Sequence, residues 1–389
     1  MIDHSGRWAW AEIDLDAVEH NVKVMRSVVA PADVWAVVKA DGYGHGAVRV
    51  AARAVEAGAA GLCVALVAEG VELRNAGIEA PILVLSEQPV ELIDALIDHR
   101  LVPTVYTQGY ADALAAAVPK GDTGYPIHVK IDTGMQRVGV PDAYAVELMR
   151  YIASLAPTLS ISGVYSHLAC ADDPISPAND LQLDRFERVL DQLDAAGLRP
   201  AHVHAANSAG GLAIPRSRHS LVRAGISLYG VSPGAGVDHL VADFRPVMSL
   251  RARVSYIKRV EAGSHVSYAW RHRFEHDTVV VTIPLGYADG VPRRMATRAD
   301  RPGADVLIGG RRCPIVGVVT MDQIMVDIGD ADVSIGDEVV LIGTQGDETI
   351  RAEDWADQLG TIGYEIVCAI SSRVPRVVRL GTVRHSIDG

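Results

Sequence analysis

Lys39 closes an apolar run, Val34-Trp35-Ala36-Val37-Val38, and the glycines of Gly42-Tyr43-Gly44-His45-Gly46 follow it closely. A run of this kind reads as a strand buried on both faces, as in a parallel sheet. The glycines leave the backbone beside the lysine free to bend tightly. Two readings stay open at this point. The lysine can snorkel from the core to water. Or it is a reactive amine at the carboxyl edge of an interior strand, where barrels of strands and helices carry their chemistry.

Other strand ends add polar groups to the same kind of edge. Ile127-His128-Val129-Lys130-Ile131-Asp132 delivers Lys130 and leads to Arg137. A later strand ends at His167, the next gives His204 and then Asn207-Ser208, and the last gives Arg223 and then Gly225-Ile226. A purely structural rim would also be polar, so each residue alone carries little. Their combination with a lysine inside the barrel points to a site. A lysine in apolar surroundings loses its proton readily and attacks a carbonyl. Pyridoxal phosphate is the obvious carbonyl partner, and it needs a phosphate site. Barrels form one from the loops after strands seven and eight, using backbone N–H groups. Ser208, Gly225 and Ile226 fall in those loops, and Arg223 would point toward the cofactor ring.

Positioning these residues requires an alternation of strands and helices, and the pattern supplies it. Strands are expected at 34–39, 61–66, 81–86, 102–106, 126–131, 159–166, 201–205 and 221–229. Helical patterns at 47–57, 67–76, 89–99, 109–118, 143–156 and 180–196 separate most of them. Alternation means parallel strands with crossover helices. Eight strands predict an N-terminal (β/α)8 TIM-like barrel. The first turn lacks the G-x-G-x-x-G fingerprint of an open dinucleotide-binding sheet. The pattern changes near Phe244. From there strands at 247–260, 278–284, 304–308, 311–319, 323–328 and 338–342 follow one another, with short helices at 352–359 and 364–370. The expected organisation is a barrel over residues 1–243 and a mostly antiparallel C-terminal β domain over 244–389. The first ten or so residues are candidates to pair with the second domain.

Bulk properties narrow the function classes. The chain has 389 residues and a net charge of −12, with no dense basic patch, which argues against a nucleic-acid partner. The N-terminal stretch lacks an apolar signal core, and no apolar run is long enough to cross a membrane. Cys63, Cys170, Cys313 and Cys368 are far apart and read as reduced thiols of a cytoplasmic protein. His202 and His204 alternate on one strand without a third ligand nearby, so no metal site is expected.

The residues carry a resemblance to bacterial alanine racemase, a fold-type III pyridoxal-phosphate enzyme. It runs from Ala11-Glu12-Ile13-Asp14-Leu15 through the Lys39 stretch, Lys130-Ile131-Asp132-Thr133-Gly134-Met135, and Ser166-His167-Leu168-Ala169-Cys170-Ala171-Asp172. It continues through Ala206-Asn207-Ser208, Val222-Arg223-Ala224-Gly225-Ile226, Val266-Ser267-Tyr268, Gly286-Tyr287-Ala288-Asp289-Gly290, Met321-Asp322-Gln323 and Gly363-Tyr364-Glu365. The resemblance implies that Lys39 anchors pyridoxal 5'-phosphate covalently and serves one face of the alanine Cα. Tyr268 would serve the other face, supplied by the second subunit of a homodimer with shared active sites. Arg223 would face the pyridine nitrogen, with His167 and His204 beside it. Tyr43, Ser208, Gly225, Ile226 and Tyr364 would hold the phosphate. Arg137, Met321 and Asp322 would hold the substrate carboxylate. Lys130 would be carbamylated, and Tyr287, Tyr364 and Asp172 would line the entry corridor. The implied activity interconverts L- and D-alanine and supplies D-alanine for peptidoglycan.

The chain departs from the pattern at Ala269, where the family usually has Gly, at Gln136 and Val138, and at Thr320. None removes a functional group; fine substrate preference is what they bear on. A related barrel decarboxylase would want an acid where Arg223 stands. A non-catalytic cofactor carrier would lack residues 244–389. A racemase of another small amino acid such as serine shares every feature above, because a small pocket rejects one added hydroxyl weakly.

Overall fold

The computed structural model describes residues 6–297 and 302–379. The outermost ends of the two expected domains therefore lie outside the described residues. The chain divides into two compact units, Val18–Arg245, and Met1–Ala17 with Pro246–Gly389.

The strands of the first half, after β1 (Ala9–Asp14), are β2 (Asp33–Val37), β3 (Gly61–Val64), β4 (Ile82–Val84), β5 (Val102–Val105), β6 (Tyr125–Asp132), β7 (Val140–Pro141), β8 (Leu159–Tyr165), β9 (His202–His204) and β10 (Leu221–Ala224). All but β1 join one parallel sheet, ordered β10-β2-β3-β4-β5-β6-β8-β9, with the two-residue β7 beside β6. The two ends of the sheet meet where Arg223 N donates to Ala206 O at 3.1 Å and Ser220 N to Val203 O at 3.0 Å. The eight strands thus form a nearly closed barrel wrapped by helices. Apolar runs such as Leu62-Cys63-Val64 and Ile82-Leu83-Val84 fill both faces of the strands and are fully buried. Gly58, Gly77 and Gly197 end their helices at positive φ of 99°, 84° and 66°, where a side chain would be strained.

The second unit holds an antiparallel-rich sheet. Its strands are β1, β11 (Met248–Arg253), β12 (Tyr256–Val260), β15 (Thr278–Ile283), β16 (Asp305–Ile308), β17 (Arg311–Val316), β18 (Ile324–Gly329), β19 (Glu338–Gln345), β20 (Glu348–Ile350) and β21 (Arg376–Arg379), with β13 (His265–Val266) and β14 (His272–Arg273) as a separate hairpin. β1 pairs antiparallel with β11 and parallel with β21, so the first strand of the chain is part of this sheet.

Two long strands are interrupted where the sequence suggested continuity. The strand expected over 221–229 stops at Ala224; the chain turns at Gly225 into a 3-10 turn, Ile226–Tyr229. The single strand expected over 247–260 is two. Val254 and Ser255 switch partners, to Asp337 O and Thr282 O, so the chain leaves β19 and joins β15.

Candidate active site

Lys39 stands two residues beyond β2, the strand between β10 and β3. It is not the last residue of a strand, as the sequence suggested, but opens a left-handed turn. Ala40, Asp41, Gly42 and Tyr43 have φ of 52°, 52°, 59° and 53°. Each non-glycine residue costs about 1–2 kcal/mol there. Fixed hydrogen bonds offset that strain. Glu69 accepts from Ala40 N at 2.6 Å through one oxygen and from Ala65 N and Leu66 N through the other. Asp41 accepts from Ala47 N at 2.8 Å. The turn thus carries Tyr43 back toward the β10 loop. A Cβ on Gly225 would lie 2.7 Å from Tyr43 Oη, so a side chain there would displace the tyrosine hydroxyl. Ser208 Oγ accepts from Gly225 N at 2.8 Å. Tyr43, Ser208 and Gly225, with Ile226 next in chain, are therefore brought together.

The floor of the site is a row set by strand register. Lys130 on β6, Tyr165 on β8 and His204 on β9 are lateral neighbours. Tyr165 is buried, its ring stacked on His204 at 4.6 Å and 7°. Its hydroxyl shares a 2.8 Å hydrogen bond with Thr104 Oγ1 and donates to Leu85 O at 3.0 Å. Both Lys130 Nζ, at 5.5 Å, and the Arg223 guanidinium, at 5.1 Å, rest over its face. Burial lowers the Lys130 pKa to about 7, and the charges of Arg223, Arg137 and Lys39 push the same way against Asp132. Half of this amine is then neutral near physiological pH.

Arg223 is buried on β10 and has no acidic partner among the described residues. Nη1 donates to His204 Nδ1 at 2.6 Å. Nη2 donates to Ser166 O at 2.9 Å, His167 Nδ1 at 3.0 Å and Ala205 O at 3.1 Å. Nε takes part in none of these bonds. Burial, and then Arg223, hold both His167 and His204 far below the usual imidazole range, so both rings are neutral acceptors. Arg137 is exposed on the loop after β6. Its charge is felt at Lys130, His167 and Arg223. Asp172 packs against Gly234 and Gly236 on a neighbouring loop rather than against this cluster.

The remaining candidates belong to the second unit. Tyr268 is 70% exposed in a turn whose residues Ser267, Ala269 and Trp270 have φ of 66°, 57° and 46°. Ser267 Oγ anchors that turn by donating to Val318 O at 3.0 Å. Tyr287, Met321 and Asp322 come together: Tyr287 N donates to Thr320 O and Ala288 N to Met321 O. Asp322 pairs with Arg373 at 2.7 Å, and Arg373 and Arg7 both pair with the fully buried Asp289, at 3.4 and 2.6 Å. Tyr364 is half-buried on the helix Gly363–Cys368.

Family comparison matches residues 13–233 to the alanine racemase N-terminal domain and residues 247–378 to the alanine racemase C-terminal domain. The chain belongs to the alanine racemase family. It is 46% identical to an alanine racemase of Symbiobacterium thermophilum over 95% of this chain and 97% of the relative. It is 44% identical to that of Thermobifida fusca over 97% and 99%. Among solved structures, an alanine racemase from D-cycloserine producing Streptomyces lavendulae superposes with a TM-score of 0.90 at 38% identity, covering 96% and 98% of the two chains. One from Bacillus anthracis, solved with bound L-Ala-P, gives 0.88 at 38%, covering 96% of each.

Pyridoxal phosphate fits the donors of this alanine racemase family chain. Lys130, Arg137 and Arg223 gather beside Lys39 with no ion pair to Lys130, Arg137 or Arg223 among the described residues, so the basin calls for an anion. Arg223 Nε makes no hydrogen bond among the described residues and can donate to an aromatic nitrogen. Sequence reasoning passed over Tyr165, Glu69 and His128. A usable signal was present: His128 and Lys130 are two apart on an otherwise apolar strand, hence on one face.

Proposed function

We propose that the chain interconverts L- and D-alanine with pyridoxal 5'-phosphate held in the barrel, by a two-base exchange at Cα. The observation that carries this reading is Arg223: a buried guanidinium whose Nη groups are engaged by neutral acceptors, leaving Nε for the cofactor ring. Lys39 would hold the cofactor covalently. Tyr43, Ser208, Gly225, Ile226 and Tyr364 would hold its phosphate. When bound, the cofactor draws off the electron pair that proton loss leaves on Cα. Lys39 Nζ takes or returns the proton on one face, and Tyr268 Oη does so on the other. Arg223 would donate to the ring nitrogen without surrendering its proton, which would restrain charge build-up there and favour proton return over other fates. Arg137, with the Met321–Asp322 segment, would hold the substrate carboxylate.

Tyr268 is read as the contribution of a second subunit in a homodimer, and its exposure in one chain agrees with that reading. Lys130, half neutral near pH 7, is read as the site of carbamylation: its amine adds to CO2 and releases a proton, giving an anion beside Arg137. D-Alanine made in this way, in the cytoplasm, would serve peptidoglycan. The test is incubation of the enzyme with cofactor and L-alanine in D2O. D-Alanine carrying deuterium at Cα is the expected product. Exchange without inversion would remove Tyr268 from its role; absence of both, with L-serine turned over instead, would move the substrate.

A further inference from the structure

The guanidinium of Arg223 can only donate hydrogen bonds. Its contact with His204 Nδ1 at 2.6 Å therefore makes that nitrogen an acceptor, and a neutral His204 must carry its proton on Nε2. His204 Nε2 lies 3.0 Å from His128 Nδ1, which then has to accept, placing the His128 proton on its own Nε2. Every proton in the row is assigned by the one residue that cannot reverse its role. We infer that His128 is a positioning residue for the reaction: by accepting from His204 Nε2–H it secures the tautomer that Arg223 requires, and through His204 it holds the aim of the Arg223 guanidinium. This rests on the reading in which Arg223 meets the cofactor ring.

The fold makes room for this ring in a way that packing alone does not require. His128 sits opposite Gly163 on β8, where the β6–β8 register shifts between Ile127 and His128. A Cβ on Gly163 would lie 2.5 Å from His128 Nε2 and Cδ2. β8 gives up a side chain so that an imidazole can lie across it. Trp35 at 5.7 Å and His202 at 5.8 Å close its other sides, and Tyr165 stacks on His204. Neither imidazole can swing away, and burial keeps both uncharged. Without the acceptor on His128, the His204 N–H loses its partner in the core. The ring is then free to reprotonate on Nδ1, where it would oppose the Arg223 donor.

The test uses the holoenzyme labelled with 15N-histidine, whose ring nitrogen shifts read the tautomers directly. The expected spectrum has bare Nδ1 and protonated Nε2 on both His204 and His128. Protonation of either residue on Nδ1 overturns the inference, whatever the activity. Two variants supply the functional arm. His128→Asn keeps an acceptor near the Nδ1 position, and His128→Leu removes it. The leucine variant should lose roughly 10–100-fold in kcat, as for other residues supporting a site group at second hand, with KM little changed and the cofactor absorption shifted; asparagine should recover most of both. Equal losses in the two variants, or none in either, would overturn the role. If His128→Leu does not fold, the wild-type tautomers still decide. Expected tautomers in a protein that fails to racemise alanine would sink the proposed activity and leave this inference standing.

Discussion

Lys130 Nζ rests 5.5 Å from the centre of the Tyr165 ring, with no ion-pair partner among the described residues. Its pKa is lowered to about 7, by burial first and then by Arg223, Arg137 and Lys39. The unfolded chain holds that proton with an ordinary lysine pKa of about 10.4. Below about pH 7 both states are protonated, and the fold carries the full cost of the buried charge. From about pH 7 to 10 the unfolded chain binds the extra proton, so stability rises with pH until that cost is gone. Lys130→Met should therefore melt higher than wild type at pH 6, in buffer freed of CO2. The gap should close by about pH 10. A constant gap across that range would mean that the amine is not desolvated as described.

The same amine gives a second outcome with opposite dependence on CO2. Removing CO2 from the wild-type enzyme should raise KM for alanine, and bicarbonate should restore it. Lys130→Met should respond to neither, because no carbamate can form. A wild-type KM indifferent to CO2 would leave Arg137 to be oriented by something other than Lys130.

Tyr268 stands on an exposed turn and makes its case through chemistry. Tyr268→Phe keeps the ring and removes only the proton-carrying oxygen. Loss of a positioned acid or base typically costs about 10²–10⁴-fold. The fall in kcat/KM must be equal in both directions, because the enantiomers are equal in free energy. Cα exchange with D2O, however, should be lost from L-alanine and persist from D-alanine, the face left to Lys39. Cofactor binding, followed by absorbance, should be unchanged. Exchange lost equally from both enantiomers would mean that Tyr268 does not serve one face alone.

How far the chain could be read without its structure depends on how local each cause is. Apolar runs bounded by glycines gave away the barrel strands, because burial on both faces leaves a continuous pattern. The break at Val254–Ser255 was hidden, since apolar and basic residues mix in both halves of that run and only their partners differ. Lys39 stood out because it closes an apolar run and glycines follow it. The left-handed turn that carries it did not, because Ala40 and Tyr43 are not residues that favour positive φ. Tyr165 and His128 drew no notice. Their polar atoms matter only once β8 and β9 lie beside β6, a relation of register that spacing along the chain does not encode. Gln136 and Ala269, noticed as departures, share a physical property: φ of 55° and 57°, where glycine would be unstrained.

Asp289 is fully buried, accepts from Gly286 N at 3.0 Å and pairs with Arg7 and Arg373. Through Arg373 it reaches Asp322. Removing one member of a buried pair costs about 3–5 kcal/mol when the other is left buried and unpaired. Arg7→Leu, which strands most of the Asp289 charge, should approach that cost in denaturant titration. Arg373 is about half exposed and lies farther away, so Arg373→Leu should cost about 1 kcal/mol or less. It should nevertheless raise KM for alanine, because the Met321–Asp322 segment loses its tie. An unchanged KM in Arg373→Leu would separate Asp322 from substrate binding.

Ser267 precedes Tyr268 with φ 66° and ψ −173°, a region that is essentially glycine's. Strain there is worth about 1–3 kcal/mol. Ser267→Gly would relieve it, but would lose the hydroxyl bond to Val318 O and about 0.5–1 kcal/mol of chain entropy. The terms nearly cancel, so the melting temperature should barely move. Activity should not be spared, because the bond that holds the turn under Tyr268 is gone. The expected result is a lower kcat at unchanged stability, measured by racemisation and thermal melts on one preparation. A matching fall in melting temperature would show that Ser267 supports the fold rather than the aim of Tyr268.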